Sequence, residues 1–171
     1  MDFPNRRRNK IIGFAHPLHS WDVIALNSMD YLSQTEHGED LLFISNFCKN
    51  HGWDNYIDFF SLLREGKTIV ITDKHTNLVW VSSNFSKMTG YFLDEVKGMR
   101  PPELLHGEET SEELKTKIRE RLQNRKRVKA EIVNYRKNGE RYICLLDIRP
   151  VINFNGDVVN FLAIEHEKPI G

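Results

Sequence analysis

Two cysteines and seven histidines supply the groups that metal or nucleophilic chemistry would need. Cys48-x-x-His51 has the spacing of half a zinc site, whose other half must be a second tight pair. His37 stands alone, and His16-x-x-His19 lies nearly thirty residues before Cys48 in a loop-like stretch. Cys48 falls on the apolar face of a helical pattern, where a thiol is usually a small core residue. No metal site is expected. Cys144 and His166 offer a nucleophile and a base, but alternation along neighbouring strands sends them to opposite faces. Cys144 therefore reads as a buried thiol lining a cavity. The sequence holds no Gly-x-Ser-x-Gly, P-loop or dinucleotide fingerprint. An enzyme is not expected.

Lys115 to Lys129 is the most basic stretch, carrying Lys117, Arg119, Arg121, Arg125, Lys126 and Arg127. Its helix begins with Glu112 and Glu113 and gathers cations toward its end, as the macrodipole favours. No aromatic residue is interleaved for base stacking. It reads as a solvated face, and nucleic acid is not expected as a partner. Arg6-Arg7-Arg8 gives no firmer indication.

The 171 residues carry 24 Lys plus Arg against 24 Asp plus Glu, so no global field points to a polyanion or a polycation. Forty per cent hydrophobic residues, with ten Phe, five Tyr and three Trp, suffice for a core and exclude whole-chain disorder. No apolar run approaches the roughly 18 residues of a membrane span. The apolar stretch after the N-terminal arginines is broken by His16, Pro17, His19 and Asp22, too early for a signal peptide. Two distant cysteines fit a reducing compartment. A cytoplasmic protein without a membrane segment is expected.

Any side chain with a role must be positioned by elements that change character near Gly66. Residues 1–10 read as a tail. Residues 20–65 read as helices: Trp21, Ile24, Ala25, Met29 and Leu32 form one stripe, and Leu41, Leu42, Ile44, Phe47 and Cys48 a second. Gly52 should cap the second helix, and a third runs from Asp54 to Leu63. Thr68–Thr72 and Leu78–Val81 then form a hairpin around a turn at Asp73–Asn77. Short helices follow, one capped by Asn84 and ended by Gly90, another opened by Asp94-Glu95 and closed by Gly98. Thr110-Ser111-Glu112-Glu113 reads as a capping box with Thr110 as the cap, starting a helix with Leu114, Ile118 and Leu122 on one face. Three strands close the chain, Val128–Tyr135, Arg141–Val151 and Val158–His166, joined through Asn138-Gly139 and Asn155-Gly156. A three-strand meander cannot be a parallel array, so the fold class is α+β: a five-stranded antiparallel sheet with short helices on one face. Helices between the second and third strands would leave a small-molecule cavity. Trp80, Met88, Tyr91, Phe92, Leu104, Leu105, Ile143 and Leu145 are the large apolar residues expected near that interface.

The run Asn84 to Thr110, NFSKMTGYFLDEVKGMRPPELLHGEET, followed by NYRKNGERY (Asn134 to Tyr142) and NGDVVNFLAIEHE (Asn155 to Glu167), resembles a PAS domain over residues 67–167. It is most similar to the flavin-binding, light-sensing LOV branch and to related bacterial sensors. The resemblance makes 67–171 a PAS domain, and residues 1–66, a tail and helical extension by their own pattern, are expected to serve as cap or dimerisation element because an exposed apolar sheet face needs covering. The photoactive cysteine does not carry over. The family's Gly-x-Asn-Cys-Arg-Phe-Leu-Gln corresponds to Gly98-Met99-Arg100-Pro101-Pro102-Glu103-Leu104-Leu105-His106, which has one extra residue and no thiol. Asn134 matches a flavin-ring asparagine, a second asparagine falls on Cys144, and a glutamine falls on Glu165. Arg119 matches one phosphate-binding arginine, with Arg100 near the place of the other. Trp80 would be an electron donor to a flavin, and His106 the axial ligand if a haem were bound. FMN or FAD is the cofactor the resemblance implies.

The Asn138-Gly139 turn sets Asn134 and Cys144 near each other across a hairpin. Alternation puts Ile132, Asn134, Cys144 and Leu146 on one face, with Val133, Tyr135, Ile143 and Leu145 on the other. Matching the family's glutamine aligns Glu165 with Ala163 and Phe161 on the pocket face. A carboxylate there needs protonation or a donor, for which Asn134 is the expected partner. The expected function is a non-enzymatic sensory or interaction module that binds a small ligand or a partner protein. The alternative is a cysteine-less flavoprotein sensing redox state or light. The chain stops four residues after Glu167, so output is expected through a separate signalling protein, with the chain a homodimer.

Overall fold

The computed structural model describes residues 36–53, 57–153 and 155–169. In chain order the elements are α1 (Gly38–His51), α2 (Phe59–Arg64), β1 (Thr68–Asp73), β2 (Leu78–Val81), α3 (Ser83–Thr89), α4 (Leu93–Val96), α5 (Pro101–Leu105), α6 (Glu112–Gln123), β3 (Val128–Tyr135), β4 (Arg141–Ile152) and β5 (Val158–Glu167). The helical stripe at Trp21–Leu32, the tail and the His16/His19 pair lie outside the described residues.

All five strands join one sheet in the order β2-β1-β5-β4-β3, and every neighbouring pair is antiparallel. The two hairpins therefore sit at opposite edges, and β5 returns to the middle to join them. The segment from α3 to α6 carries the chain from one edge to the other. That crossing lays four helices over one face and opens the space beneath them.

The β-branched run Thr68–Thr72 is buried on both sides, as a central strand must be. Val70 and Ala163 meet Phe85, Val96 and Leu105 under the crossing helices. Ile69, Ile71, Trp80 and Leu162 face the other way, against Leu41, Ile44, Cys48, Phe59 and Leu63 of α1 and α2. Helices thus cover both faces of the sheet: the short crossing helices lie on one, as the sequence pattern expects, and α1 and α2 of the extension on the other. Each such fully buried aliphatic side chain contributes about 1.5–3 kcal/mol.

Local signals explain most boundaries. Gly52 ends α1 in the left-handed conformation, φ 62°, as the Asn50-His51-Gly52 pattern predicts. Two caps differ from expectation by one or two residues. Ser111, rather than Thr110, caps α6 by accepting from Leu114 N–H at 3.3 Å. Thr110 is drawn away because its hydroxyl donates to Val133 O at 2.7 Å. Likewise Asn84 lies inside α3, and its amide donates to Leu63 O and Lys67 O, tying α2 to that helix. The proline-led α5 had no clear sequence signal beyond Pro101 at its first position, where a missing N–H costs nothing. Phe92 is 65% and Ile143 43% exposed, so neither joins the interface foreseen for it. Among the described residues no helix is long and apolar enough to cross a membrane.

Candidate functional site

The crossing helices enclose a cavity of about 290 Å³ against the sheet. Its floor comes from alternate residues of four strands: Val70 and Thr72 of β1, Ile132 and Asn134 of β3, Leu146 and Ile148 of β4, and Phe161, Ala163 and Glu165 of β5. The period of two fixes this set: one residue either way along β5 are Leu162 and Ile164, packed on the opposite face. Its roof is α5 and α6, through Leu105, Ile118 and Leu122. The Leu114–Ile118–Leu122 stripe thus does what its spacing foretold for two of its three members, while Leu114 packs beside Met88 and Ile132.

Five of the seven residues named from sequence, Asn134, Glu165, Arg119, His106 and Arg100, line this one cavity. Asn134 is 5% exposed, and its Oδ1 has no hydrogen-bond partner among the described residues. Glu165 is 8% exposed, and burial pushes its carboxyl up to about 7. Its partner is the Cys144 thiol, whose Sγ donates to Oε2 across 3.8 Å. The donor is therefore the thiol and not the Asn134 amide proposed from sequence: Asn134 sits opposite Tyr142 on the far pair of strands, whereas Cys144 is on the strand beside β5. Cys144 is wholly buried on the pocket side of β4, packed among Met88, Ile132 and Tyr142, and does not line the cavity. Burial, and Glu165 beside it, raise its thiol far above the usual range, so it is no nucleophile. His166 lies on the neighbouring outer-facing register, opposite Leu145.

Trp80 is the residue the structure removes from this site. Its indole stacks on Phe43 of α1, with centroids 4.6 Å apart and planes 8° from parallel, on the outer face. Trp80 pairs with Ile71, whose side chain faces α1 and α2, and the register shift in the β1–β2 pair puts Leu78, opposite Thr72, on the other face.

His106 begins the chain after α5 and is half-buried; burial, then Lys115, lower its imidazole to about 4, so it is neutral at physiological pH. Arg100 and Arg119 are exposed at the rim, where Lys115 is engaged with Glu112 at 2.8 Å. Among the described residues there is no cluster of three or more His, Cys, Asp or Glu suited to a metal ion. Cys48 is buried in the α1 core, and His51 stacks on Phe47 with centroids 3.9 Å apart.

Sequence reasoning missed Tyr142 and Arg136. Tyr142 is buried opposite Asn134, whose amide is the group its hydroxyl faces, and burial raises its phenol above the usual range. Arg136 lies 4.7 Å over that ring and bonds both Glu167 oxygens at 2.8 Å. The signal available was the Asn-Gly turn, whose pairing is symmetric about Asn138 and so sets Asn134 opposite Tyr142.

A flavin edge needs hydrogen-bonding groups on the cavity floor. Asn134 supplies one, and Glu165 supplies a donor only while protonated. The cavity is lined by no cysteine, so the residues fit a non-covalently held ring better than adduct chemistry.

An open antiparallel sheet in the order 2-1-5-4-3, with a helical crossing that roofs a cavity, defines a sensory-type α+β domain. A family model described as PAS domain matches residues 66–167, and the chain belongs to the PAS domain family. The human voltage-gated delayed rectifier potassium channel KCNH8 is 40% identical over 87 residues, covering 50% of this chain and 8% of the channel. The nitrogen fixation regulatory protein of Klebsiella oxytoca is 26% identical over 110 residues, 64% of this chain and 22% of that protein. The chain thus spans under a quarter of either relative. Among solved structures, a light-oxygen-voltage domain studied with a flavin analogue superposes with TM-score 0.61 at 29% identity, covering 67% of this chain and 87% of that one. The PAS domain of the fruit-fly ELK potassium channel gives TM-score 0.56 at 29% identity, covering 66% and 98%.

Proposed function

We propose that this chain is a PAS sensory module that binds a small ligand in the cavity under α5 and α6 and signals through protein–protein contacts, without catalysing a reaction. The observation that carries this reading is Asn134: a buried amide oxygen on the cavity floor with no hydrogen-bond partner among the described residues. Leaving such a group unpaired costs about 1–3 kcal/mol, which a bound ligand offsets. Denaturing the purified protein and analysing what is released by mass spectrometry tests the reading. A stoichiometric small molecule is expected; an empty extract, with no ligand taken up from a metabolite mixture, would overturn it.

Residues 1–66 act in this reading as the cap or dimerisation element and 67–171 as the sensory domain, with a homodimer and a separate cytoplasmic signalling protein as partners. The packing of α1 and α2 on Ile69, Ile71 and Trp80 supports the cap. Light scattering on the full chain tests the dimer; a monomer across the micromolar range would count against it.

A second reading, a flavoprotein holding FMN or FAD and sensing redox state or light, draws support from Glu165. A carboxyl raised to about 7 is protonated at and below neutrality and can donate to a ring carbonyl as an amide would. A colourless protein that stays colourless after incubation with either flavin removes it.

A further inference from the structure

Glu165 is a carboxyl placed where its charge would lack a partner. It is 8% exposed on the central strand β5, and among the described residues its bonded partner is the Cys144 thiol at 3.8 Å. β1 sets the Thr68 residue opposite it, and β4 brings Cys144 and Tyr142, both held neutral by burial. Along β5 stands Glu167, whose two oxygens engage Arg136 at 2.8 Å, so that cation is already taken. From β3 comes the uncharged Asn134 amide. A carboxyl in such surroundings keeps its proton until a cation reaches it, and its value of about 7 agrees.

The cations lie across the cavity. Arg100 precedes α5, Lys115 and Arg119 project from α6, and the neutral His106 and Glu103 stand among them. Both arginines are exposed, whereas the Lys115 side chain is only 18% exposed and adds to burial in holding His106 neutral. Lys115 is paired at 2.8 Å with Glu112, itself 86% exposed. An ion pair with a solvated carboxylate is weak, because water competes for both charges. Inside the cavity the same attraction is stronger, and a carboxylate left alone there is costly. Ionisation of Glu165 therefore reverses which acid Lys115 prefers.

Going beyond the ligand-binding reading, we propose that the cavity is itself a proton sensor: loss of the Glu165 proton transfers Lys115 from Glu112 to Glu165 and draws the first turn of α6 toward the sheet. The proton passes to water at the rim. On the acid side of the switch Glu165 is neutral, Lys115 stays with Glu112 and the roof stands open. On the alkaline side the roof closes over a buried ion pair. The input is proton concentration near neutrality, the output is the position of α6, and no bound molecule is required.

Carboxyl carbon NMR of the full chain, titrated across neutral pH, tests this, with hydrogen exchange of residues 107–116 followed in parallel and corrected for its intrinsic pH dependence. One glutamate carboxyl is expected to titrate near 7 rather than 4.5, and its signal should be missing in Glu165→Gln. Protection of the first turn of α6 should rise through the same midpoint, and stay level with pH in Glu165→Gln. Lys115→Met removes the cation and should raise the midpoint, the proton binding about tenfold more tightly, while the protection change disappears. Glu112→Gln frees Lys115 and should lower the midpoint. These two variants leave the sheet untouched, so they decide the matter whatever Glu165→Gln does to folding. A midpoint near 4.5 overturns the proposal, as does one near 7 that neither variant moves, which would make Glu165 merely a buried acid. Level protection of α6 in the wild type overturns it too. Each of these results leaves the ligand-binding reading standing, since that reading is decided by what the purified protein releases.

Discussion

The thiol of Cys144 on β4 is the hydrogen-bond donor to the buried carboxyl of Glu165 on β5, at 3.8 Å between Sγ and Oε2. A thiol is a weak donor and does little to offset the desolvation of a carboxylate, so the proton stays on Glu165 up to about pH 7.

Stability should therefore fall with rising pH in a defined window. The folded carboxyl is raised from 4.5 to about 7, so between these values the folded state holds a proton that the unfolded state has lost. The slope of unfolding free energy against pH is then negative, amounting to about 3 kcal/mol across the window. Glu165→Gln should remove this component, giving a variant more stable than wild type at pH 8 and close to it at pH 4. Denaturant titrations at the two pH values check this; a constant difference between the proteins would refute it.

Asp147 should behave in the opposite sense. Burial raises its carboxyl, but Arg127 and Arg149 outweigh that and hold it well below the usual carboxylate range; Arg127 Nε donates at 2.6 Å and Arg149 Nη2 at 2.8 Å. The stabilisation is present above its unfolded value near 4 and is lost as pH falls further. Asp147→Asn should cost about 1–2 kcal/mol at pH 7 and progressively less below pH 4. Paired urea melts across that range give the answer.

Asp40 anchors α1 to the sheet domain. Its carboxylate accepts from Ser83 N–H at 2.9 Å and Ser83 Oγ–H at 2.7 Å, at the first turn of α3 where a negative charge is favoured. Asp40→Ala should cost about 1–3 kcal/mol, felt in α1. Hydrogen exchange should accelerate in Gly38–His51 and remain slow in β5; uniform acceleration would show that α1 has no separate docking step.

The sheet was legible in the sequence because its strands are bounded by strong turn chemistry. Asn138-Gly139 and Asn155-Gly156 fix β3, β4 and β5 to within one residue, and their alternation placed Asn134, Ile132, Leu146, Ala163 and Glu165 on one face. Trp80 was not legible: Leu78–Val81 is apolar at every position, so alternation cannot show which face is which. The Cys144–Glu165 contact was partly legible, since both share the pocket-side parity, but pairing a residue with its donor requires the strand register. Roof residues such as Leu105 were hidden because a five-residue helix has too little periodicity to read.

Asn134→Leu should separate stability from binding. Among the described residues the amide oxygen has no partner to lose and the amide's contact is with the Tyr142 hydroxyl, so an apolar side chain of similar size should change the stability of the ligand-free protein by no more than about 1 kcal/mol. Ligand affinity should fall about tenfold or more. Loss of stability in the ligand-free protein would mean that Asn134 serves the fold rather than the site.

Native mass spectrometry of the purified full chain beside Ala163→Phe, which fills the cavity from its floor, tests the ligand-binding account most directly. The account predicts that the wild type carries a non-covalent small molecule, lost on denaturation, and that the filled variant is folded but carries none. A wild type and a filled variant that each show only the mass of the bare polypeptide, even after incubation with FMN and a metabolite mixture, would contradict it.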